Sequence, residues 1–299
     1  MWLTAPYAVW FVVLTTVVPY AVLTYALSLV LLLLLRRGST GTVRRGLTAA
    51  AAVAVAGTVL HGVLVAPAYV GSHAAGVPNL TVLTLNTRFG HADAAEVVAL
   101  ARRHHVDLLV LEEVTPSERE RLRRAGLDGL LPHTAGETAT TAAGTVVFSA
   151  YPLSEPTRLP VRNGAWQVRV DSARPFTLFA VHTSQPLHWT TEWVQDWDAV
   201  DEAVRAQAGD RLVVGDFNAT LDHRPVRRLL QHGLADAART GNAGWQPTWP
   251  SSEVTKYRSP IGLMAIDHVL HTSAFDVIST RTTEVTGTDH LALLARIRR

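Results

Sequence analysis

The chain has 299 residues, 48% of them hydrophobic and 17% charged, with a formal charge of +2. It contains no cysteine, which excludes disulfides and thiolate metal sites. Residues 79–299 hold all 25 acidic residues and 23 of the 27 basic ones, a formal charge of −2, so no strongly basic nucleic-acid-binding face is evident.

Residues 1–78 contain no Asp, Glu or Lys, and their only arginines are Arg36, Arg37, Arg44 and Arg45. Trp2 to Leu35 is uncharged and apolar, against the roughly 20 residues a helix needs to cross a ~30 Å hydrocarbon core. Pro19 sits mid-way and marks either a kink in one span, near Val9–Leu35, or a turn between two short ones. Residues 46–70 form a second candidate span. A buried core helix and a cleaved signal sequence, with a weak site at Ser72 to Ala74, are the rival readings. Basic residues in short loops stay in the cytoplasm, so the arginine loop between the spans directs residues 71–299 outward. The expected plan is a transmembrane region over 1–70 (about 9–35 and 46–70), a linker over 71–79 and a domain over 80–299. The expected location is the cell membrane, multi-pass, with that domain extracytoplasmic.

In the domain, Leu80–Leu85 reads as a buried strand. His91–His105 has helical spacing, and Val106–Leu111 is the next strand, ending in Glu112-Glu113. Pro116–Arg124 reads as a charged helix and Gly144–Ser149 as a strand. Gln167–Val170 alternates like a half-buried strand, and Phe176–Val181 is a strand ending at His182. Glu192–Ala208 reads as a helix. Arg211–Val214 is a strand ending in Gly215-Asp-Phe-Asn218. Ala265–Leu270 and Leu291–Ile297 are the last two strands. Strands outnumber helices, and most helices lie between strands. That pattern fits an α/β (α+β) fold: a two-sheet sandwich with helices outside. Trp189, Trp193 and Trp197 make one helical stripe, read first as packing on a sheet and second as a face near the lipid interface.

Several strands end in a polar residue: Asn86, Glu113, His182, Asp216, Asp267 and the nearby Asp289-His290 pair. Polar groups converging at strand ends from distant parts of a chain are how an active site looks in one dimension. Asp216 and Asn218, at i and i+2, share one face and suit work on a water and a phosphoryl oxygen beside a hard metal ion.

The order Leu83-Thr-Leu-Asn86, Leu111-Glu-Glu-Val114, Val181-His182, Gly215-Asp-Phe-Asn218, Ile266-Asp-His268 and Thr288-Asp-His290 resembles the endonuclease/exonuclease/phosphatase superfamily. The resemblance covers about residues 80–295. It implies a DNase I-like, four-layer sandwich preceded by the membrane helices. It also implies a Mg²⁺- or Mn²⁺-dependent phosphoesterase that works by water attack. Under it, Glu113 is the main metal ligand, with Asn86 and Asp289 supporting the same ion directly or through water. Asp216 orients and deprotonates the water, and Asn218 donates to the nonbridging oxygens. His290 contacts the scissile phosphate, and Asp267 holds its imidazole. His182 binds phosphate or protonates the leaving oxygen. The family's usual residue at position 112 is Gln, so Glu112 is a departure, and Ala150 replaces a common Arg. The loop with Trp245 and Trp249 resembles one that lies beside the active site.

The expected substrate is a lipid-linked or envelope phosphate, with the membrane as partner. An anchored extracellular nuclease ranks behind it, and a non-catalytic envelope-binding module third. The layout resembles actinobacterial membrane-anchored members associated with teicoplanin resistance, an analogy that fixes no substrate.

Overall fold

The structure, a computed structural model, describes residues 8–70, 74–252 and 262–299. The start of the apolar stretch, Ser72, the front of the linker and Lys256 lie outside the described residues.

Twelve strands and nine α-helices follow one another among the described residues. Helices α1 (Val9–Thr16), α2 (Ala21–Arg37) and α3 (Gly41–Val65) come first. The domain then runs β1 (Leu80–Asn86), α4 (Ala94–His104), β2 (Leu108–Glu112), α5 (Pro116–Arg124), α6 (Leu127–Leu130), β3 (His133–Glu137), β4 (Thr145–Ser149), β5 (Leu153–Leu159) and β6 (Ala165–Val170). It continues with β7 (Phe176–His182), α7 (Thr190–Ala206), β8 (Arg211–Asp216), α8 (Arg224–Gln231), β9 (Ala235–Asp236), α9 (Ala237–Thr240), β10 (Asp267–His271), β11 (Asp276–Thr283) and β12 (Ala292–Arg298).

The strands form two six-stranded mixed sheets, ordered β11-β12-β1-β2-β4-β3 and β5-β6-β7-β8-β10-β9. Each sheet has one parallel pair at its centre, β1 with β2 and β7 with β8. Side chains alternate across a strand, and here the alternation sorts three cores. Leu80, Val82, Leu108 and Val110 of the first sheet meet Leu178, Ala180, Leu212 and Val214 of the second. On the outer face of the first sheet, Leu83, Leu85, Leu109 and Leu111 pack on α4 and α5. On the outer face of the second, Phe179, Val181 and Val213 pack on Trp193 and Trp197 of α7. The result is the expected four layers.

The alternation also builds the site. The inward positions of the four central strands are apolar for most of their length and turn polar at the C-terminal tips. Thr84 and Asn86, Glu112, His182 and Asp216 occupy the next inward places after the apolar ones and are all buried. Register places Asn86 opposite Glu112, His182 opposite Asp216, and Asp267 opposite Asp216. Gly215 has φ +137°, and a Cβ there would collide with the Val181 carbonyl and come within 2.8 Å of Glu112 Oε1. Only glycine lets the strand tip sit this close to its neighbours.

One expectation needs correction. The apolar stretch near Val9–Leu35 is not one helix. It breaks at Val17 and makes a single 3-10 turn over Val18–Tyr20, where Pro19 lacks the N–H an unbroken α-helix requires. The first piece, α1, docks on the folded domain: Val12 joins the core beneath α7 and α8. Thr220 N donates to Nδ1 of His223, so the ring proton sits on Nε2 and goes to the Val12 carbonyl (3.0 Å).

Two segments, Val18–Arg37 and Gly41–Ala68, are helices long and apolar enough to cross a membrane. They run antiparallel, with Tyr25 stacked on His61. Gly57 leaves the room for the Tyr25 ring. The hairpin turn lies at the arginine end, where Arg36 Nε donates to Thr48 Oγ1 at 2.8 Å.

Candidate active site

A cavity of about 820 Å³ opens where the strand tips meet. Asn86, Glu113, His182, Asp216, Asn218, Asp289 and His290 line it, so seven of the eight residues singled out by sequence share one chamber. The eighth, Asp267, stands behind His290.

Asp216 is held by three donors. Its Oδ1 accepts from the Asn218 backbone N–H (2.8 Å), and its Oδ2 accepts from Asn86 Nδ2 (3.0 Å) and Asn218 Nδ2 (3.4 Å). Burial raises its carboxyl above the ordinary range, while nearby His290 works the other way. Asn218 also donates Nδ2 to the Thr183 carbonyl at 2.9 Å, so one amide hydrogen is committed to the scaffold.

His290 Nδ1 donates to Asp267 Oδ2 at 2.9 Å, and its Nε2 lies 3.8 Å from Asp216 Oδ2. Burial alone would push the imidazole down, but Asp267 and then Asp216 outweigh it and lift it to about 10. The ring is therefore an imidazolium at neutral pH, with a proton on the cavity side. Thr288 fixes this corner: its hydroxyl donates to the Asn86 carbonyl (2.6 Å) and accepts from the His290 N–H (3.2 Å).

His182 differs. Its Nδ1 donates to the Ala142 carbonyl at 3.1 Å, and burial lowers its pKa despite Asp216. The ring is neutral, with Nε2 unprotonated and 3.6 Å from Asp216 Oδ2. As placed, it accepts rather than donates.

Parity separates the two adjacent glutamates. Glu112 points between the sheets, where Thr84 Oγ1 donates to its Oε1 at 2.9 Å. Burial and the nearby Asp267 and Asp216 carboxylates push its carboxyl well above the usual range. Glu113, with φ +58°, leaves the strand and turns into the cavity. Its Oε2 accepts from the Phe89 N–H (2.8 Å), and its Oε1 lies 3.3 Å from Asn86 Nδ2. Burial raises its pKa, and Asp289 adds to the shift. Asp289 Oδ2 accepts from Trp249 Nε1 at 3.3 Å.

This donor set fits a hard divalent cation. Among the described residues, no Arg or Lys pairs with Glu113, Asp216 or Asp289, and the His290 imidazolium faces Asp216 alone at 3.8 Å, so the chamber holds more carboxylates than cations. Asp216, Asp267 and His290 also lie close enough to hold an ion. Glu113 and Asp289 line the same chamber and offer further carboxylate oxygens to an ion. Asn86 donates to two carboxylates through Nδ2, and its Oδ1 accepts from the Arg88 N–H (2.9 Å). In this state it orients the carboxylates.

Sequence reasoning missed several lining residues. Asn163 Nδ2 donates to the Thr183 carbonyl (3.2 Å) and lies 3.5 Å from His182 Nε2. Among the described residues, Arg88 and Arg162 are the arginines of the cavity wall, and Arg162 stacks on Trp189 at 3.9 Å. Val13 and Thr16 of α1 also line it. Only an Asn163-Gly164 turn signal hints at the first of these. His268 and His271 are buried and bonded to Ala219, Asp236, Thr240 and Thr272.

The sequence matches the Endonuclease/Exonuclease/phosphatase family over residues 83–290. No curated protein matches it. Among solved structures it is similar to an endonuclease/exonuclease/phosphatase from Beutenbergia cavernae DSM 12333 (20% identity, TM-score 0.55, 74% of this chain and 72% of that one). It is also similar to a variant of the 3′ phosphatase NExo from Neisseria bound to product DNA hairpin (18%, TM-score 0.60, 74% and 100%). A third is an AP endonuclease from Archaeoglobus fulgidus (14%, TM-score 0.59, 72% and 98%). At these identities the likeness is one of fold.

Proposed function

The chain belongs to the endonuclease/exonuclease/phosphatase family, and on that footing we propose that it is a membrane-anchored, Mg²⁺- or Mn²⁺-dependent phosphoesterase acting on an envelope phosphate ester or diphosphate. The observation that carries the chemistry is the pairing of Asp216 with His290 across one buried chamber. The first is a fixed carboxylate, the second an imidazolium held by Asp267.

Glu113 and Asp289 would hold the ion, with Asn86 orienting the carboxylates around it. When bound, it neutralises charge on the phosphoryl oxygens and polarises the phosphorus. Asp216 takes the proton of the attacking water. Its raised pKa brings it nearer the working range of a general base. His290 Nε2–H donates to a nonbridging oxygen as charge builds, joined by the Asn218 amide hydrogen that in this state reaches Asp216 Oδ2 at 3.4 Å. The arginine loop and the two apolar helices support a location outside the cytoplasmic membrane.

The nuclease reading has one observation in its favour, the DNA-processing enzymes among the similar structures. Against it, among the described residues only Arg88, Arg162 and the His290 imidazolium bring positive charge to the cavity wall, where a duplex backbone would meet several contacts. The test is hydrolysis by the purified full chain with Mg²⁺ or Mn²⁺ of bis(p-nitrophenyl) phosphate, DNA, RNA, phospholipids and undecaprenyl diphosphate. Asp216→Ala is expected to lower the rate at least ~10²-fold. An unchanged rate sinks the site, and DNA cleavage without lipid turnover sinks the envelope substrate.

A further inference from the structure

Beyond Val77, only four large apolar side chains among the described residues are strongly exposed: Phe89, Leu187, Trp189 and Leu263. Phe89, Leu187 and Trp189 line the active-site cavity. Leu263 immediately precedes Met264, which lines it too. Exposed apolar residues scattered singly need no explanation; four gathered at one opening do.

The same opening has α1 on its wall. Val13 and Thr16 face the cavity, while Val12 and Thr15 are buried against the protein. The remaining side of α1 carries Trp10, Phe11 and Leu14, exposed by 72%, 43% and 49%. This helix has no charged residue at all. Water does not favour that face, whereas the head-group layer of a bilayer does, and Trp is enriched there.

The membrane hairpin fixes the direction in which this rim points. α1 passes through the Val18–Tyr20 turn straight into α2. The Tyr20 hydroxyl donates to the Leu263 carbonyl at 2.6 Å, and its ring packs edge-on against Trp245. After α3, the Ala68 carbonyl accepts from the Gly244 N–H at 2.7 Å. Both outer ends of the hairpin are thus tied to loops that border the cavity, so the opening cannot turn far from the membrane plane. At the mouth, the Arg162 guanidinium lies flat on Trp189, a cation placed within an apolar surround.

We propose that this apolar rim rests in the head-group layer of the outer leaflet, and that the cleft takes its phosphoester from an amphiphile embedded in that leaflet. The phosphate reaches Asp216 and His290, and the hydrocarbon chain leaves the cleft between α1 and Leu187. Arg88 and Arg162 meet the anionic head. The proposal rests on the anchored phosphoesterase reading above and adds the source of the substrate and the surface that selects it.

The chain has no cysteine, so single labels are clean. Leu14→Cys, Leu187→Cys and, as a control on α5, Glu120→Cys each take an NBD fluorophore. The full chain is then reconstituted in vesicles of phosphatidylethanolamine and phosphatidylglycerol. Labels at positions 14 and 187 are expected to be quenched several-fold more by nitroxide-bearing lipid than by iodide, and the label at 120 the reverse. Equal iodide access at all three positions, in protein whose hairpin resists added protease, overturns the proposal and leaves the anchored phosphoesterase standing.

A second arm uses hydrolysis of bis(p-nitrophenyl) phosphate by the wild-type chain. Dihexadecyl phosphate in vesicles is expected to compete at least tenfold better than dibutyl phosphate in solution, both being phosphodiester monoanions. Equal competition, or stronger competition by a DNA oligonucleotide, overturns the amphiphile. No hydrolysis at all sinks the phosphoesterase reading instead, and the quenching result then decides the rim by itself.

Discussion

Glu112 sits between the two sheets with Oε1 accepting from Thr84 and Oε2 without a hydrogen-bond partner among the described residues. Its carboxyl is nearly isosteric with the amide of glutamine, and burial favours its uncharged form. Glu112→Gln is therefore expected to keep the fold and to leave the Mg²⁺ concentration for half-maximal rate within about twofold. Glu113→Gln, one residue on, removes a cavity carboxylate and is expected to raise that concentration at least ~10-fold. A metal titration of both variants checks the pair, and equal effects would mean the two roles are not separated. His290 offers a pH test. Its folded-state pKa of about 10 lies above the ordinary ~6.5, so the stability this adds is full below ~6.5 and is lost as pH rises toward 10. Asp267→Asn removes its hydrogen-bonded carboxylate, so the alkaline limb of the pH–rate profile should move down from about 10 toward ~6.5. An unmoved limb would assign it to another group. At this scale the sequence shows residue types but not which way they face. Glu112 and Glu113 look alike in the sequence, and strand parity plus a positive φ at Glu113 tells them apart. Asn163 shows only a turn signal and Arg162 no pattern, because their partners His182, Thr183 and Trp189 lie far along the chain.

The strands divide cleanly by position in their sheets. The eight central ones are all legible as apolar or alternating runs. The four that escape sequence reading are β3, β5, β9 and β11, and these are the four edges. An edge strand is half solvated, so β5 and β11 can carry Glu155, Arg158, Ser279 and Arg281, and no apolar run survives to announce them. The helix α1 escaped for the opposite reason. It is so apolar that it merges with the span that follows, and only the packing of Val12 and the His223 bond distinguishes it. His223 is buried, and burial lowers its pKa to about 4, so it stays a neutral donor at physiological pH. His223→Leu should keep much of the packing but leave the Val12 carbonyl and the Thr220 N–H without their partner, a loss of about 1–3 kcal/mol. Amide exchange in residues 9–16 is then expected to quicken by about five-fold or more, with β8 unchanged. Equal exchange would mean α1 does not depend on that bond.

The whole molecule joins an apolar hairpin to a sandwich whose cavity mouth lies beside the hairpin's open ends. With the arginine loop inside, a reporter that works only in the cytoplasm is expected to be silent when fused after residue 80, and activity there would reverse the topology. What the sequence determined by itself is the set of interactions that depend on local order. Apolar runs made the central strands and the two long helices. Polar strand ends, in family order, marked the chemistry. What only the tertiary structure decided depends on distance through space. It divided the first apolar stretch, turned Glu112 between the sheets and Glu113 into the cavity, and made His290 cationic and His182 neutral through their different neighbours. It also gathered four exposed apolar side chains and α1 around one opening. Periodicity fixes which residues are buried; which groups meet, and what charge they then carry, follows from how the two sheets and the hairpin pack.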